Sequence, residues 1–120
     1  MLKRIAAQLT ALMLAGPALA GGADVVGASA SWKGSSWQFS VTVQHGDTGW
    51  DHYADAWRVV GPDGTVYGTR VLHHPHVNEQ PFTRSLSGVA IPEGVTSVTI
   101  EARDKVHGWG GKTMQVPLNR

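Results

Sequence analysis

Trp37-Gln38-Phe39-Ser40-Val41-Thr42-Val43-Gln44 alternates apolar and polar residues without a break. Successive side chains of an extended chain point to opposite faces, so this run has one apolar face and one polar face. It reads as a β-strand buried on one side, and the same grammar extends outward in both directions. Upstream, 23–32 reads as a strand, and Lys33-Gly34-Ser35-Ser36 turns the chain into the alternating run. Downstream, 53–60 and 65–72 flank Gly61-Pro62-Asp63-Gly64, where proline pre-sets φ and glycine accepts positive φ. Strands at 82–90 and 96–104 flank Ile91-Pro92-Glu93-Gly94, with Val98, Ile100 and Ala102 sharing a face. The last, 112–118, puts Met114, Val116 and Leu118 on one face.

Seven short strands in about 100 residues, with weak helical periodicity after residue 20, predict an all-β fold. The expected architecture is a single immunoglobulin-like, fibronectin type III-like sandwich over 21–120, with Trp57 as a central core aromatic.

Residues 1–20 follow different rules. Lys3 and Arg4 precede an apolar stretch from Ile5 to Ala15; Gly16 and Pro17 follow, then Ala18-Leu19-Ala20. This is the layout of a cleaved secretory signal, with small residues at −3 and −1 and a mature chain starting at Gly21. The apolar stretch falls well short of the roughly 20 residues a bilayer span needs. No cysteine occurs anywhere in the chain, which closes the lipoprotein route at this site. The expected location is the periplasm or the exterior.

Cleavage would also change the charge. The full chain carries ten Lys/Arg against nine Asp/Glu, and Lys3 and Arg4 leave with the signal, so eight face nine in the mature part. No basic field remains to attract nucleic acid or anionic lipid. Without disulfides, an exported domain of this size depends on its core. All five Trp, both Tyr and both Phe lie after residue 20 and can supply it.

The six histidines carry the functional signal. His45 and His52 bracket the connection between the second and third predicted strands, His73, His74 and His76 lie between the fourth and fifth, and His107 lies between the sixth and seventh. When successive strands alternate in direction, these three connections emerge at one end of a sandwich. The other end carries only the three short turns already quoted. His74-Pro75-His76 adds a local geometry. Proline holds its predecessor extended, and residues i and i+2 of extended chain face the same way, so both imidazoles can address one point. His45 keeps the inward parity of Val43, and Asp104 keeps that of Ala102. The two are therefore expected to meet, with the carboxylate orienting the ring.

Imidazoles gathered in this way suit Cu(II), Zn(II) and Ni(II). The expected ligands are His45, His52, His74, His76 and His107, with Asp51 and Asp104 as accompanying carboxylates. His73 is left out as solvated, Asp47 and Glu79 read as ordinary exposed loop acids, and Trp50 and Trp109 as loop packing. Copper stands ahead of zinc because Cu(II) binds nitrogen sites more tightly. Met114 is the only methionine after residue 20, too few for a Met-rich Cu(I) site. Gly108, Gly110 and Gly111 are expected to let the chain turn sharply beside His107.

Three runs, Trp50–Trp57, His74–Ser87 and Val106–Gly111, resemble a family of small exported bacterial proteins with an immunoglobulin- or fibronectin-III-like domain. The resemblance covers most of 21–120. It implies a periplasmic setting and brings no activity or site residue with it. No Gly-x-Ser-x-Gly elbow, H-E-x-x-H helix or Gly-rich phosphate loop occurs, so the expectation is a non-enzymatic metal-binding protein for delivery, buffering or resistance, with a periplasmic partner protein. The alternative is an interaction module that reads a protein or glycan through the same loops.

Overall fold

The computed structural model of the protein describes residues 21–120, and the expected signal segment, 1–20, lies outside them. The alternating run forms β2 (Trp37–Gln44) at the centre of a three-stranded antiparallel sheet, between β1 (Asp24–Trp32) and β5 (Phe82–Val89). A second antiparallel sheet has the order β4 (Val66–Val71), β3 (Ala54–Val60), β6 (Ser97–Asp104), with β7 (Gly108–Trp109) and β8 (Met114–Pro117) both pairing with β6. The described residues form no helix. This is the expected all-β sandwich, compatible with an immunoglobulin-like arrangement.

Strand alternation builds the core. Trp37, Phe39, Val41 and Val43 of β2 are fully buried, as are Trp57 and Val59 of β3 and Ile100 of β6. Each such side chain stabilises the fold by about 1.5–3 kcal/mol relative to leaving it in water. The same alternation carries buried positions beyond the apolar residues. β6 ends on Asp104, which is 0% exposed, and the inward parity of β2 continues to His45, 5% exposed. The sandwich therefore delivers one carboxylate and one imidazole to the same end of its interior.

Eight strands form where seven were expected. The extra one, β7, is a two-residue return in which Trp109 pairs with Arg103 and Gly108 with Asp104. Gly108 accepts φ +74° there, as expected for the turn beside His107. Gly111 serves a different purpose: any Cβ at this position would collide with the carbonyl of Ala23. The segment before β1 is thereby pressed against the segment before β8. Val25 N donates to Lys112 O at 2.8 Å, and Lys112 N donates to Asp24 Oδ1 at 2.7 Å.

A β-bulge between Ala54 and Ala56 sets β3 against β6 beside Asp104. The extra residue, Asp55, keeps its carbonyl satisfied by Leu72 N at 2.9 Å. Bulges of this kind re-aim neighbouring side chains.

Candidate metal centre

Three connections meet at the histidine end. The β2–β3 connection supplies His45, Asp47 and His52, the β4–β5 connection supplies His74 and His76, and the β6–β7 turn supplies His107. Two side chains tie the first two connections together. Asp47 Oδ2 accepts from His76 N at 2.8 Å, and Gln80 accepts from His45 N at 3.0 Å while donating to His76 O at 2.9 Å. A small bridge between Gly49 and His52 folds the tip of the first connection and turns His52 back toward the barrel of the sandwich.

Asp104 is the hub. Its Oδ2 lies 2.7 Å from His52 Nε2, 2.9 Å from His107 Nδ1 and 3.7 Å from His45 Nε2. The same oxygen accepts from Val106 N at 3.3 Å and His107 N at 3.2 Å, which closes the turn over it. Burial alone would raise the carboxyl's pKa. The hydrogen bonds from His107, His52 and Val106 outweigh that effect and hold it below its ordinary value. Asp104 is therefore a carboxylate, and its Oδ1 is buried without a hydrogen-bond partner among the described residues.

His45 is oriented from behind. Its Nδ1 lies 2.6 Å from Asp47 Oδ1, which also accepts from Ala54 N at 3.0 Å. An ionised carboxylate offers only lone pairs, so Nδ1 carries the hydrogen. In the neutral ring the lone pair of Nε2 faces Gly21 O at 2.9 Å, His52 Nε2 at 3.2 Å and Asp104 Oδ2 at 3.7 Å, whereas in the protonated ring Nε2–H donates to Gly21 O. Gly21 O and Asp104 Oδ2 are acceptors as well. An acceptor-rich focus of this kind is satisfied by hydrogens on the imidazole Nε2 atoms or, in their place, by a metal ion. Among the described residues, His45, His52 and Asp104 form a group whose ligand atoms lie within 4.8 Å of one another.

The structure divides the residues singled out from the sequence. His45, His52 and Asp104 share the focus. His107 stands beside it, held to Asp104, with its ring centroid 5.2 Å from that of His52. His74 and His76 lie outside the group. They pair with each other at 4.6 Å between ring centroids, and His76 stacks on Phe82 at 3.9 Å and 11°. Arg84 Nη2 donates to His76 Nε2 at 2.9 Å, so a permanent positive charge stands against that nitrogen, and His76 Nδ1 is buried without a hydrogen-bond partner among the described residues. Burial, then Arg84 and His74, hold the His76 pKa below its ordinary value.

The carboxylates also trade places. Asp51 is exposed at the loop tip and takes no part in the cluster's hydrogen bonds. Asp47, expected to be an exposed loop acid, is 6% exposed and orients His45. The i, i+2 spacing of His45 and Asp47 was the available signal, but it gains meaning only once the chain is seen to curl back at Gly46. Trp50 does not pack the loops as expected: it is 62% exposed and meets Tyr53 edge-on. Trp109 lies under the guanidinium of Arg58 at 3.9 Å.

Comparison with known proteins adds one relative. Over 83 residues the chain is 45% identical to a protein of Halomicrobium mukohataei named "Putative lipoprotein", covering 69% of this chain and 40% of that protein. The chain thus spans about two fifths of the length of the relative it matches. No family model matches the chain, and no solved structure matches it at a significant level.

Proposed function

We propose that the domain is a non-enzymatic, exported metal-binding protein that holds a divalent transition-metal ion through His45 Nε2, His52 Nε2 and Asp104 Oδ2. Cu(II) stands ahead of Zn(II) by the general affinity order at nitrogen and oxygen sites. The observation that carries this reading is the convergence of these three atoms, each of which presents a lone pair to one point once His52 Nε2 gives up the hydrogen it donates to Asp104. Their separations of 2.7, 3.2 and 3.7 Å bracket the roughly 2.8–3.4 Å between neighbouring ligand atoms of a square-planar or tetrahedral ion with bonds near 2.0–2.1 Å. Asp47 behind His45 is the outer carboxylate that metal-bound histidines ordinarily possess. The role is delivery, buffering or resistance in the periplasm or cell envelope. The signal-like residues 1–20 support export, and so does the relative's name.

A second reading, docking of a partner protein, draws on three exposed apolar side chains at the same end: Trp50, Val77 and Val106. It is compatible with metal delivery, because His52, in the same connection as Trp50, is 28% exposed and open to a recipient docked there.

Competition titration of the domain 21–120 with Cu(II) and Zn(II), against a chelator of known affinity, tests the metal reading. Binding that weakens as pH falls through the imidazole range is expected, since ligating histidines must be deprotonated. Uptake of neither ion would sink the proposal and leave the docking surface as the function.

A further inference from the structure

The structure places the start of the described chain against the histidine cluster, with Gly21 itself exposed. Gly21 O is 2.9 Å from His45 Nε2, and a Cβ on Gly21 would stand 3.0 Å from Cε1 of His107. Gly21 therefore lies between two of the cluster's imidazoles, at φ +83°, where a side chain would be both strained and crowded. Its position is set by its neighbours. Gly22 and Ala23 are buried, Ala23 O lies against Gly111, and Asp24 and Val25 are hydrogen-bonded to Lys112.

Gly21 is also the residue at which the sequence predicts cleavage, directly after Ala18-Leu19-Ala20. Hydrolysis of the Ala20–Gly21 peptide bond consumes one water and leaves a carboxylate on Ala20 and a free amine on Gly21. The chemistry of the nitrogen changes completely. A peptide nitrogen has its lone pair delocalised into the carbonyl and is no ligand. An α-amine, with an ordinary pKa of about 7.7–8.0, offers that lone pair once it sheds a proton. It stands about 1.46 Å from the Cα of Gly21, a residue whose carbonyl oxygen reaches His45 and whose Cβ position faces His107.

We propose that removal of the signal completes the metal centre, with the Gly21 amine nitrogen and carbonyl oxygen joining His45, His52 and Asp104 as ligands. This rests on the metal reading of the preceding subsection and names what finishes its coordination. The two Gly21 atoms close a five-membered chelate ring. The uncleaved precursor lacks this pair, so strong metal loading is deferred until the chain has been exported and cut. Glycine suits this position because L side chains rarely adopt its φ of +83°, and it leaves room for the ion.

The test compares three forms of the chain for Cu(II) affinity by chelator competition. One is exported and processed, with its N-terminus determined by mass spectrometry. The second retains Ala20 ahead of Gly21, and the third is Nα-acetylated at Gly21. The processed form is expected to start at Gly21 and to bind on the order of tenfold or more tightly than either blocked form. Its Cu(II) electron paramagnetic resonance spectrum should show a nitrogen that the blocked forms lack. Equal affinity and identical spectra in all three would overturn the inference while leaving the His–His–Asp site standing, as would an N-terminus at another residue. Failure of the processed form to bind Cu(II) at all would overturn the metal reading itself and this inference with it. Matching thermal unfolding of the metal-free forms guards against a folding difference.

Discussion

Two pairs of histidines sit at the same end of this sandwich, and they differ in almost everything except their spacing. The rings of His45 and His52 are 4.7 Å apart, and those of His74 and His76 are 4.6 Å apart. Around the first pair stand two buried carboxylates, Asp47 and Asp104. Against the second stands a guanidinium, Arg84, and an aromatic face, Phe82. Proximity of imidazoles is thus a weak indicator of a metal site. The sign of the neighbouring charge decides whether two nitrogens invite a cation or are already occupied by one.

Several substitutions break this contrast. Asp104→Ala removes the acceptor of both histidine contacts and of two backbone N–H groups. Loss of Cu(II) binding is expected, together with about 2–4 kcal/mol of stability by urea denaturation. His52→Ala should cost on the order of 100-fold in Cu(II) affinity, as loss of a direct ligand exceeds the effect of an outer one. Because that side chain is 28% exposed, the accompanying loss of stability should be about 1 kcal/mol or less. A variant that folds and still binds Cu(II) tightly would remove His52 from the site. Asp47→Asn leaves the shape but takes away the carboxylate that sets the His45 tautomer, and about 10- to 100-fold in affinity should go with it.

The other pair should behave in the opposite way. A His74→Ala/His76→Ala double variant is expected to bind Cu(II) within about twofold of wild type. It should lose about 1–3 kcal/mol of stability, since the stack on Phe82 and the contact to Arg84 disappear. Metal affinity lost with these two residues would collapse the distinction between the pairs. The smallest effect is the pH dependence of the metal-free protein. His76 has a lowered pKa when folded, so below about 6.5 the unfolded chain takes up the proton more readily than the native one. The stability that His76 contributes is fully present above that pH and declines as pH falls through the window down to its folded value. A His76→Gln variant should show a shallower decline in urea midpoint between about pH 7 and 5. Asp104 works in the same sense at lower pH: its contribution holds above its unfolded value of 3.8 and is lost as pH falls through its lowered folded value.

Much of the fold was legible because strand alternation is a local property. Trp37 to Gln44 could be assigned, face by face, from eight letters, and extending the same parity carried His45 and Asp104 to the interior. β7 was not legible, since two residues carry no periodicity. Asp47 was not legible for a related reason: beyond the end of β2 the alternation no longer applies, and a loop acid looks the same whether it points to water or back beneath a histidine. His74-Pro75-His76 shows what local geometry leaves open. Its extended geometry does put both rings on one side, but the side is chosen by how the β4–β5 connection lies across β5, where Arg84 waits.

The sequence by itself determined the seven longer strands, which of their faces are buried and that the histidine-bearing connections share one end. These follow from two-residue periodicity and the alternating direction of consecutive strands. Only the tertiary structure decided which histidines meet carboxylates, that Asp47 rather than Asp51 supports them, and that Gly21 lies among them. Most of those outcomes depend on contacts between distant residues, 24 positions apart for Gly21 to His45 and 59 for His45 to Asp104, and the local His45–Asp47 contact follows no strand periodicity. No local pattern encodes such contacts, because they are set by how two sheets and three loops close on one another.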